Sequence, residues 1–194
     1  MNSRRLASLA VLIAPLSHAL AEPATYEIDP EHVAVGFRVD HLGFADVVGF
    51  FGEVEGSYLF DETTGDLSNV TVSVATDSVF TNHDDRDDHL RGRDFLDTRR
   101  HAQMRFSSTA VERLSESEFV VTGQLELLGM NRPLTLEATL NKLGEYPMGR
   151  NAYAMGVSAT ATLQRSEFGM SYGVDNGWVG DTVEIFIEFE AQRQ

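Results

Sequence analysis

Apolar and polar residues alternate along most of the chain with a period of two, the spacing of a half-buried β-strand. Val33, Val35, Phe37 and Val39 fall on one side of such a run, with Ala34, Gly36, Arg38 and Asp40 on the other. Ahead of it, Tyr26 to Asp29 is a short extended piece and Pro30-Glu31-His32 reads as a turn. A longer run from Asp46 to Phe60 places Val48, Phe50, Val54, Tyr58 and Phe60 on a shared face. Gly49, Gly52 and Gly56 interrupt it, which predicts a bend or bulge. Val70, Val72 and Val74 mark the next strand, and Met104 and Phe106 open another that ends near Val111. Phe119, Val121, Gly123, Leu125 and Leu127 face Leu134, Leu136, Ala138 and Leu140 across a turn at Gly129 to Pro133. Met155 to Leu163 alternates again, and Ser166 to Trp178 is Gly-rich and irregular. In the last run Val183, Ile185, Ile187 and Phe189 oppose Glu184, Glu188 and Glu190, with Phe186 the exception on the wet side. About eight strands joined by short turns predict one all-β domain, a closed antiparallel barrel or a sandwich.

One stretch breaks the pattern. Thr81 to Asp97 carries six aspartates, three arginines and two histidines, with only Leu90, Phe95 and Leu96 to bury. The spacing fits a short helix or ordered loop near residues 84–97 that presses these three onto a core and serves as a lid or cross-connection.

Residues 1–21 have the form of a cleaved signal peptide: Arg4 and Arg5, a mostly apolar Leu6–Leu16, and Ala19-Leu20-Ala21 at the cleavage position. The apolar run is shorter than a bilayer span, and an uncleaved anchor is the alternative. Cleavage leaves residues 22–194 as a single domain, with 13 basic against 30 acidic residues and a formal charge of −17. That balance argues against nucleic acid and against an anionic membrane surface as the main partner. The chain has no cysteine, so disulfides, thiolate catalysis and cysteine-zinc sites are excluded.

The rows expected to face inward are long and apolar: Val35, Phe37, Val39; Phe50; Met104, Phe106; Phe119, Val121, Leu125; Val157, Ala159; Ile185, Ile187. Eight strands enclose either a filled core or room for one ligand. Glycine and alanine along the strands favour room. His83, His89 and His101 lie among aspartates, but the spacing matches neither His-Glu-x-x-His nor an EF-hand loop. No Gly-x-Ser-x-Gly elbow is present, so no nucleophile can be paired with a base.

The order of motifs resembles the YceI-like family of exported polyisoprenoid-binding proteins. HVAVGFRVDHLG at His32 to Gly43, followed by Val48-Gly49-Phe50-Phe51, matches its opening. Arg86-Asp87-Asp88-His89-Leu90 with Asp94-Phe95-Leu96-Asp97 matches its central signature, and Met104 to Ser108 the strand after it. GQLELLGMNRPLTL from Gly123 to Leu136, Arg165 to Met170, and Val179-Gly180-Asp181 complete the order. Departures are Val33 and Gly92 where serine is usual, Ala102 for proline, Glu167 for aspartate and Leu128 for a basic residue. The resemblance implies a lipocalin-like antiparallel barrel of about eight strands, no catalytic activity, and no cofactor beyond a bound isoprenoid lipid. The lipid would be held in the barrel for transport or storage in the periplasm, or outside a cell with a single membrane. Arg86, His89, Arg93 and Arg165 are the head-group candidates, and the acidic surface favours an uncharged, quinone-like head. The competing expectations are a metal-dependent hydrolase built on His83, His89 and their aspartates, and a non-catalytic stress-related interaction module acting through a partner or as a homodimer, a dimer being compatible with lipid carriage as well.

Overall fold

The computed structural model describes residues 22–148 and 152–194; the expected leader lies outside the described residues. The elements are β1 (Ala24–His41), β2 (Ala45–Phe51), β3 (Val54–Phe60), β4 (Leu67–Ala75), β5 (Val79–Phe80), α1 (Asp84–Arg91), β6 (Gln103–Arg113), β7 (Glu118–Leu127), β8 (Met130–Glu145), β9 (Tyr153–Gln164) and β10 (Val179–Arg193). All pairings are antiparallel. Around the ring the order is β1-β10-β9-β8-β7-β6-β4-β3 and back to β1, an eight-stranded closed barrel. Closure of this ring protects the edges of its eight strands and leaves the β2–β5 branch with the free edge.

β1 has two neighbours on one edge. Its lower part pairs with β3, from Ala24↔Phe60 to Glu27↔Ser57, and its upper part pairs with β2, from Val35↔Phe51 to His41↔Ala45. β5 extends β2 through Phe50↔Phe80 and Phe51↔Val79. The upper wall between β5 and β6 is therefore left to α1 and residues 92–102. Thr76 fastens this patch: its N–H donates to Ala102 O at 3.0 Å and its hydroxyl to His101 O at 2.6 Å.

Two local expectations change. The turn expected at Pro30 to His32 is a bulge inside one continuous β1, where the register with β10 slips between Ile28 and Val33. A bulge tolerates proline because no ladder hydrogen bond is required there. Asp29 pins it, accepting from Glu31 N and Gln192 Nε2 and contacting His32 Nδ1, each at 3.0 Å.

The run from Asp46 to Phe60 is two strands, and the step at Gly52-Glu53 shifts the alternation by one residue. Gly52 N donates to Ser78 O at 3.2 Å and Glu53 N to Ser78 Oγ at 3.1 Å as the chain crosses. Below the step Val54, Tyr58 and Phe60 are buried; above it Phe51 is. Phe50, expected in the cavity, lies opposite Gly36 on the outer face. Its ring stacks on Phe80 and meets Phe186 edge-on, each with centroids 5.6 Å apart. Gly36 is glycine because the Phe186 ring occupies the place of a side chain. Glycines inside the barrel are likewise filled by neighbours: Phe37 covers Gly49 and Phe106 covers Gly123, so neither leaves room for a ligand.

The lower end is closed by aromatic packing. Tyr26 and Tyr58 stack at 5.6 Å, with Phe60 edge-on to Tyr26 at 6.2 Å. Tyr26 donates to Glu62 Oε1 at 2.8 Å and Tyr58 to the Met155 sulfur at 3.1 Å. Burial pushes both phenols above the usual tyrosine range, so neither ionises in any ordinary buffer.

Candidate functional site

The polar stretch folds as α1 and a tight turn. His83 caps the helix, its Nδ1 accepting from Arg86 N at 3.4 Å, and Asp84, Asp85 and Asp87 occupy the first turn, where the helix dipole favours negative charge. Eight residues are too few to hold a helix unaided. Asp87, 6 % exposed, accepts from Thr81 N at 2.7 Å and from Thr81 Oγ1 at 2.5 Å. Arg86 donates to Thr81 Oγ1 and O, both at 2.7 Å, and Arg91 to Asp77 O at 2.9 Å and Val79 O at 2.7 Å. The helix is thereby fastened to β5, and Leu90, Phe95 and Leu96 turn inward. Asp87→Ala leaves two buried donors of Thr81 without their acceptor. A cost of roughly 2–4 kcal/mol is expected, read as a lower urea midpoint at unchanged slope.

Inside the barrel are two adjoining apolar compartments. The upper, about 170 Å³, is lined by Val35, Phe37, Val39, Met104, Phe106, Leu125, Ile185 and Ile187, with Leu90, Phe95 and Leu96 from the polar stretch. The lower, about 80 Å³, is lined by Phe119, Val121, Val157 and Ala159 among others. Val35, Val72, Leu136 and Ile187 border both. These four stand on β1, β4, β8 and β10, three sides of the ring, and form a waist between the compartments. Val39, Ile185, Ile187 and Phe189 point inward yet stay half-buried, as side chains around a hollow do.

Of the head-group candidates, Arg165 alone lines this space, and among the described residues it is the only charged one on the upper wall. It is 3 % exposed, and the ring of Phe95 lies 5.7 Å from its guanidinium carbon. Its Nε donates to Gly180 O at 2.7 Å, Nη1 to Met170 O at 2.8 Å, and Nη2 to Tyr172 O at 2.8 Å and Val179 O at 2.9 Å. One guanidinium thus clamps the irregular 170–180 segment. Burial draws its pKa below the usual arginine range, opposed by Asp181. No carboxylate among the described residues pairs with it.

His89 sits beside Asp94 at 3.2 Å, edge-on to Phe95 and Tyr172. Arg86 is committed to Thr81, and Arg93 is exposed. The histidines do not converge on the aspartates: His83 caps the helix, His89 pairs with Asp94, and no group of three potential ligands forms among the described residues. Sequence reasoning missed Met170 and Val179 in the upper wall, because the segment between them has no periodicity to read.

A closed antiparallel barrel of eight strands with a hollow, apolar interior and one short helix in its wall is a lipocalin-like fold. The YceI-like domain pattern matches residues 26–191, and the chain belongs to that family. UPF0312 proteins of Pseudomonas savastanoi pv. phaseolicola and Pseudomonas aeruginosa are each 37% identical over 196 residues, covering 100% of both chains. Three solved structures share the fold at low identity. BcnA of Burkholderia cenocepacia superposes with a TM-score of 0.74 at 19% identity, covering 84% of this chain and 98% of its own. The YceI protein of Campylobacter jejuni gives 0.73 at 23%, covering 80% and 90%. A polyisoprenoid-binding domain from Saccharophagus degradans gives 0.61 at 11%, covering 89% and 100%.

Proposed function

We propose that this protein binds a long-chain isoprenoid lipid, its tail laid through the two compartments and its head near Arg165. The observation that carries this reading is the chamber: an apolar hollow along the barrel, with one buried cation at the upper end. The Saccharophagus neighbour, described as a polyisoprenoid-binding domain, supports the same ligand class. Each buried methylene contributes roughly 0.8 kcal/mol, so a tail of several isoprene units is held without strong polar contacts. Four of the five guanidinium N–H groups of Arg165 are spent on backbone carbonyls. The remaining Nη1–H suits one neutral acceptor, such as a quinone carbonyl, better than a pyrophosphate, which needs several donors.

The role we assign it is carriage or storage, in keeping with an upper compartment whose lining among the described residues is apolar apart from Arg165. The leader expected at residues 1–21 assigns it to the periplasm, and no helix among the described residues is long and apolar enough to cross a membrane. Native mass spectrometry of freshly purified protein tests the reading. A bound mass that fragments as an isoprenoid is expected. The bare polypeptide mass, together with a melting temperature unmoved by added long-chain quinones, would reject it.

A further inference from the structure

We propose that the upper end of the barrel is a docking surface for a lipid bilayer with neutral head groups. This rests on the isoprenoid reading, because the bilayer is where such a ligand dissolves. Large apolar side chains left in water are distributed unevenly. Of nine among the described residues, Leu42, Phe44, Met130, Tyr172 and Trp178 ring the upper end, two more lie on the outer wall of β2 and β5, and only Leu114 and Met148 belong to lower hairpins. Phe44 is 89 % exposed and Trp178 is 53 % exposed. A cluster of this kind beside a ligand chamber marks an interaction site.

The hairpin chemistry points the same way. The β1–β2 and β7–β8 turns both read Leu-Gly followed by an exposed apolar residue: Leu42-Gly43-Phe44 and Leu128-Gly129-Met130. In each, leucine is held in the left-handed region, φ 58° at Leu42 and 53° at Leu128, where asparagine or glycine is the comfortable choice. At Leu42 the chain accepts both backbone strain and a 45 % exposed leucine, and water rewards neither. The tips are also tied together. Leu42 N donates to Trp178 O at 3.1 Å, and Trp178 N to Gly173 O at 2.9 Å, so Leu42 and Trp178 stand on one platform. Phe, Trp and Tyr are the side chains that settle at a membrane interface. Beneath them the upper compartment reaches this end at Val39, Met170 and Val179, continuing the apolar surface into the chamber.

Charge selects the kind of bilayer. The tips at residues 40–46, 128–132 and 170–178 carry Asp40, Asp46 and Asp175 against Arg132 alone, with His41 beside them. Anionic head groups are repelled by this rim, and zwitterionic ones are not.

Trp178 is the chain's only tryptophan, so its fluorescence reports the contact directly. Phosphatidylcholine vesicles are expected to shift its emission to the blue, and brominated phosphatidylcholine to quench it. Replacing a third of the lipid by phosphatidylglycerol should weaken vesicle binding several-fold at low salt. Phe44→Ser, at a position too exposed to affect folding, should weaken it about tenfold. Emission that ignores vesicles while the protein still carries isoprenoid overturns the docking surface and leaves the lipid reading intact. A blue shift that follows protein concentration without vesicles also overturns it, assigning the patch to a second copy of the chain.

Discussion

Ile185→Trp is expected to weaken isoprenoid binding about 30-fold while barely changing stability. Ile185 faces the upper compartment, in register with Phe37 on β1 and Ala161 on β9. The larger ring takes the place of two or three tail methylenes, worth about 2 kcal/mol in lost burial. In a filled core the same insertion would itself cost about 1–3 kcal/mol through strain, but here there is space to receive it. Glu188→Trp, on the outer face of the same strand, should leave affinity unchanged. Calorimetric titration with a long-chain quinone, paired with a melting curve for each variant, separates the two effects. Parent-like affinity in Ile185→Trp would mean that the tail does not run through the upper compartment.

Arg165→Met should be the most destabilising single change in the upper half of the molecule. It frees four backbone carbonyls at once, those of Met170, Tyr172, Val179 and Gly180, from charge-assisted hydrogen bonds. A buried network broken on one side costs roughly 3–5 kcal/mol, which for a domain of this size is a fall in Tm of about 10 °C. Lysine should not rescue it, because a point ammonium cannot reach carbonyls spread along a planar fork. Proteolysis offers a second readout, with early cleavage expected between Met170 and Val179. A melting point within about 2 °C of the parent would show that the segment holds itself.

Strand periodicity carried most of the architecture, since a period of two names the buried face wherever one strand runs unbroken. It failed where the chain steps between strands. Gly52-Glu53 moves the buried face from odd to even positions, so Phe50, which looked aligned with Val54 and Tyr58, is outside and Phe51 is inside. The glycines were visible, but their effect on phase was not, because Gly52 and Gly56 look alike until Ser78 is seen holding the crossover. Pro30 misled in the opposite sense, reading as a break where β1 only bulges. In the polar stretch, Leu90, Phe95 and Leu96 were legible as the inward face. The use of its charges was not: Arg86, Asp87 and Arg91 bond to Thr81, Asp77 and Val79, and those partnerships exist only once β5 lies beside the helix. The buried state of Arg165 was equally hidden, since its partners are main-chain carbonyls that any residue could supply.

The seam between β1 and β10 also has a temporal meaning. Val35 meets Ile187 and Tyr26 meets Arg193, contacts that span most of the sequence. The barrel cannot close until β10 arrives, so a chain delivered from its amino end waits as an open, curled sheet with its apolar lining uncovered. Such long-range closure is slow. A ligand or chaperone that meets the protein before β10 docks therefore meets a trough rather than a chamber.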